Sequence, residues 1–138
     1  MAKFDADLFW LLRNELRFLE SGGYVKVSET AGRPARIFED SPSCPNYDNP
    51  LAHTPCADCA LLALVPPEMR DKPAPCRHIV INSAGETVGS VRDAFTDDEI
   101  EQKVGNWLRR TIQAIEHARI RSMPWFPKPE ARIRTYRA

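Results

Sequence analysis

Apolar residues recur at helical spacing in two stretches, one near each end of the chain, and the pattern between them is broken and irregular. From about Asp5 to Glu20, Leu8, Leu12, Leu16 and Leu19 fall on one stripe that Phe4, Phe9 and Trp10 widen, which predicts an amphipathic helix. Ser21-Gly22-Gly23 follows it and supplies a residue free to take the left-handed conformation that ends helices. Near the other end, Thr96-Asp97-Asp98-Glu99 reads as a capping box. Ile100, Val104, Trp107, Leu108, Thr111 and Ile115 then share a face, predicting a helix of about six turns from Asp97 to around Ile120.

Between these helices the composition turns strand-like in short pieces. Tyr24 to Ser28 and Ala35 to Glu39 are expected to pair as one hairpin. Arg77 to Asn82 and Glu86 to Val91 are expected to pair as a second, across Ser83-Ala84-Gly85 with the glycine at a positive φ. Thr54-Pro55 resembles a helix start for a short buried helix over Ala57 to Leu64, which Pro66-Pro67 stops. The expected fold is therefore α+β, a small antiparallel sheet flanked by an N-terminal helix and a long C-terminal helix, with an irregular cysteine-rich middle. Its core draws on Leu8, Leu12, Leu16, Ile37, Leu61, Leu64, Ile79, Ile81, Val88, Ile100, Val104, Trp107 and Ile115.

Composition narrows this picture. A chain of 138 residues with 43% hydrophobic and 28% charged residues suits one folded domain and not a disordered segment. We read residues 1–121 as that domain and 122–138 as a basic aromatic arm. No run of apolar residues is long enough for a membrane span, and no signal-peptide pattern opens the chain, so a cytoplasmic location with no membrane partner is expected. The net charge of zero hides an asymmetry: residues 109–138 hold eight basic residues against two acidic ones, and the remainder is correspondingly acidic. Arg119, Arg121, Lys128, Arg132, Arg134 and Arg137 with Trp125, Phe126 and Tyr136 suit phosphate contact with base stacking. They equally suit docking on the acidic body or on a protein partner.

The candidate chemistry lies in the proline-rich middle. Cys44, Cys56, Cys59 and Cys76 fall within 33 residues. Cys56 and Cys59 form a C-x2-C pair, whose two intervening residues let both sulfurs reach one ion from a single turn. In a reducing compartment four such thiols favour metal over disulfides, and four thiolates complete the zinc tetrahedron unaided. Zinc is the simplest expectation, and an iron–sulfur cluster uses the same four ligands. A Cys56/Cys59 redox pair, two disulfides, or four reduced and partly buried thiols are the remaining readings. His53 and His78 stand near enough in sequence to assist such a site, whereas His117 belongs to a helix surface.

No Gly-rich phosphate loop, nucleophile elbow or His-Glu-x-x-His pair occurs. Four cysteines would close the coordination sphere, and only with one of them absent could Asp58 or Glu68 act as a base. The expected function is thus a small zinc-stabilised binding module working through protein contacts, with little support for an enzyme. An iron–sulfur or thiol redox protein, and a nucleic-acid-binding accessory factor, are the alternatives.

Overall fold

The computed structural model, which describes residues 3–44, 46–47 and 55–127, has helices α1 (Lys3–Glu20), α2 (Gly23–Ala31), α3 (Val88–Ala94) and α4 (Asp97–Arg121), with short 3-10 turns between α2 and α3. The described residues form no strand; a single bridge between Val80 and Thr87 is all the extended pairing they show. The expected α+β fold with an antiparallel sheet is therefore corrected to an all-helical one.

Both long helices form where the periodicity places them. α1 buries Leu8, Phe9, Leu12 and Leu19, and Leu12 is wholly inaccessible, a burial that contributes about 1.5–3 kcal/mol. Gly22, at φ 81°, ends it. α4 is capped by Thr96, whose side chain accepts the Glu99 N–H, and buries Ile100, Val104, Trp107, Leu108 and Ile112. Of the expected capping box only this half is made, because the Thr96 hydroxyl donates to the Glu99 carboxylate at 3.0 Å. The two helices pack antiparallel: Arg119 of α4 lies 5.1 Å from the Phe9 ring of α1, and Arg109 meets Glu20 at 3.3 Å.

The expected first hairpin fails because its first strand is α2. Tyr24 is buried, and left-handed glycines at both ends, Gly22 and Gly32, set off a nine-residue helix. The intended partner strand is an irregular loop that buries Ala35, Ile37 and Phe38. Phe38 packs edge-on against Trp107, centroids 6.1 Å apart, an arrangement worth about 0.5–1.5 kcal/mol beyond its area.

The second hairpin keeps only its turn. Ile81 N–H donates to Glu86 O at 2.8 Å, and Gly85 takes the expected positive φ of 83°. The chain then turns into α3, because Thr87 and Ser90 form a reciprocal capping box that starts a helix where a strand was expected. The helix expected over 57–64 is two 3-10 turns, Cys56–Asp58 and Ala60–Leu64, separated by extended Cys59. Thr54 lies outside the described residues.

The expected core is otherwise met. Leu8, Leu12, Ile37, Leu61, Ile79, Ile81, Val88, Ile100, Val104 and Trp107 are buried, and Leu16, Leu64 and Ile115 pack against them. No helix among the described residues is long and apolar enough to cross a membrane.

Candidate metal centre

Three short segments carry the four cysteines, and each is set by local hydrogen bonding. Cys44 follows the loop after α2, its N–H donating to Ser41 O at 3.2 Å. Cys56 opens a 3-10 turn behind Pro55, and Cys59 closes it by donating to Cys56 O at 3.0 Å. Cys76 sits in the turn Pro75–His78, whose entry is Ala74 in a left-handed conformation, φ 46°.

These segments come together around one cavity of about 290 Å³, lined by all four cysteines. Leu61, Leu62, Val65 and Phe38 supply apolar wall, and Arg36, Glu39 and Asp40 supply charge. All four cysteines are free thiols, with Cys56 exposed and the other three half-buried. Burial, more than anything else, pushes the Cys76 thiol up to about 12, with the charges of Glu39, Cys59, Cys44 and Cys56 adding to it. Burial also raises Cys59, with Cys44 and Cys56 contributing. Each of these two thiols thus feels its fellow cysteines electrostatically. Among the described residues, no three His, Cys, Asp or Glu side chains are gathered closely enough to hold a metal ion directly. The thiols share the wall of a cavity without meeting at a point.

Two devices hold the wall in place. Glu39 takes a two-pronged contact from Arg77, at 2.7 Å to Nε and 2.8 Å to Nη2, and so ties the turn of Cys76 to the loop that leads to Cys44. Inside, the fully buried Glu15 of α1 accepts from the hydroxyls of Tyr24 and Ser41 and, at 3.1 Å, from the Phe38 N–H. Phe38 pays for this with φ 70°. Phe38 and Ala74 are the two non-glycine residues at positive φ among those described, and both line the cavity. Such backbone costs on the order of 1–3 kcal/mol per residue and gathers where a site demands it.

Of the other candidates, His78 is half-buried in the Cys76 turn but is not on the cavity wall, and Asp58 and Glu68 are exposed away from it. His117 is exposed on α4 as expected. His53 and residues 128–138 of the arm lie outside the described residues. Glu15, Arg36 and Glu39 were not among the residues expected at the site. Glu15 left one trace, an acid seven residues after Leu8 on a face that continues at Leu12 and Leu19. The chain matches no protein-family model, no curated protein and no solved structure.

Proposed function

We propose that the protein is a small helical binding module organised by a metal–thiolate centre on Cys44, Cys56, Cys59 and Cys76. The observation that carries this reading is that cysteines from three separate segments all line one cavity, whose walls are held by strained backbone and a part-buried Arg77–Glu39 ion pair. Four thiolates suit zinc or an iron–sulfur cluster, and a bound centre of either kind stabilises folding directly.

Its working surface lies at the paired ends of α1 and α4. Trp10 is 57% exposed and Trp125 is 70% exposed. Arg13 and Arg119 both stack on Phe9, which meets Trp10 edge-on. Aromatic and arginine side chains of this kind are the usual anchors of protein contacts, which favours a protein partner.

The test is metal content per chain, by elemental analysis and native mass spectrometry, on protein purified without added metal. Bound metal that is lost in Cys56→Ser and Cys59→Ser, with a melting temperature lowered by chelator, is the expected result. A metal-free chain of undiminished stability, or paired thiols, would end the proposal.

A further inference from the structure

We infer that the cavity takes a polynuclear iron–sulfur cluster, not a single ion, and that Arg36 and Ser43 donate to its sulfurs. This deepens the four-thiol reading and rests on it. A lone zinc ion draws four sulfurs to about 2.3 Å from one centre, which leaves nothing between them but the ion. Here four cysteines border a space of about 290 Å³, and no three of the described acid, cysteine or histidine side chains converge on a point. A cluster places several irons and sulfides of its own between the cysteines, so it needs ligands held apart around a chamber.

One donor on the wall, Arg36, and one just outside it, Ser43, have nothing to donate to. Arg36 Nε and Ser43 Oγ are buried without a hydrogen-bond partner among the described residues. Ser43 immediately precedes Cys44, and Arg36 is the one basic residue on the described wall. A buried donor left unsatisfied is costly, and more so when it is charged, so Arg36 on the wall and Ser43 next to Cys44 call for an acceptor. The acids on the same wall do not fill that role. Asp40 is engaged by Arg33 at 2.7 Å and by the Arg36 backbone N–H at 2.7 Å, and Glu39 is engaged by Arg77. Four thiolates around an iron–sulfur core carry net negative charge, and their sulfurs accept hydrogen bonds. Arg36 supplies both the countercharge and an N–H, and Leu61, Leu62 and Val65 line the cavity with apolar surface.

Hydrogen bonds to sulfur and nearby charge set the potential of such clusters. When the cluster takes one electron, from dithionite in the experiment, no bond forms or breaks and its negative charge rises by one. A guanidinium at the wall favours that reduced state, and its removal lowers the potential.

The full chain is purified anaerobically and assayed for iron, acid-labile sulfide and visible absorbance before and after dithionite. Iron with matching sulfide and a brown colour that bleaches on reduction is the expected result. Arg36→Gln then retains iron and sulfide but lowers the midpoint potential, Arg36→Lys recovers part of the shift, and Ser43→Ala moves it the same way by less. Zinc without sulfide, lost in the cysteine variants, overturns the cluster and leaves the four-thiol centre standing. No metal at all ends both. An iron–sulfur protein whose potential ignores all three substitutions overturns the assignment of Arg36 and Ser43.

Discussion

Glu15 holds the loop before Cys44 from inside the protein. Its carboxylate is fully buried and gathers the Tyr24 hydroxyl, the Ser41 hydroxyl and the Phe38 N–H, so truncation strands three donors together. Glu15→Ala should lower stability by about 3 kcal/mol or more, read as a lower denaturant midpoint at unchanged slope. Glu15→Gln, which keeps one acceptor oxygen, should lose less. The same cluster gives the protein an alkaline limit. Burial first, and the Glu15 charge next, hold the Tyr24 hydroxyl protonated well above the usual phenol range. An unfolded tyrosine ionises near ~10, so above that pH the unfolded chain releases a proton that the native state keeps, and stability falls as pH rises. Denaturation curves collected from neutral pH upward should show this decline, and Tyr24→Phe should flatten it.

At the scale of elements, α3 sets the position of the Cys76 turn. A Cβ at Gly89 would lie 3.2 Å from the Arg77 carbonyl oxygen, so the turn would have to give by a few tenths of an ångström to admit a side chain. Gly89→Val should push the turn outward and strain the Arg77 to Glu39 contact. With the proposed metal–thiolate centre, metal should then be lost faster to chelator, while far-ultraviolet circular dichroism still reports α1 and α4. How far each element could be read from sequence follows its length. α4 was legible because 25 residues repeat one face many times over and Thr96 marks the start. α2 was not, since Tyr24, Val25 and Val27 carry strand preference and nine residues give the helical period too few repeats to outweigh it. α3 was hidden in the same way, although Thr87 and Ser90 stood at capping-box spacing. The cysteines were legible as a set because clustering needs no knowledge of the fold. Arg36 and Glu39 were not, because their place on the wall depends on the left-handed turn at Phe38, a conformation that nothing about a phenylalanine announces.

For the whole molecule, the governing arrangement is that the first and last described helices lie against each other while the cysteines occupy the stretch between. The Arg109 to Glu20 contact alone spans 89 positions of sequence. Contacts so distant along the chain make folding slow, because a long loop must close before they form. The cysteine spacings of eleven, two and sixteen intervening residues are short by comparison. A metal captured by the unfolded chain would tie off these small loops first and shorten the path that α1 must search to find α4. Refolding from denaturant should therefore be faster with metal present than after chelation, by a factor that Cys56→Ser abolishes. Placed midway between two helices that must meet, the thiol cavity would then decide how quickly the chain becomes a protein as well as how long it remains one.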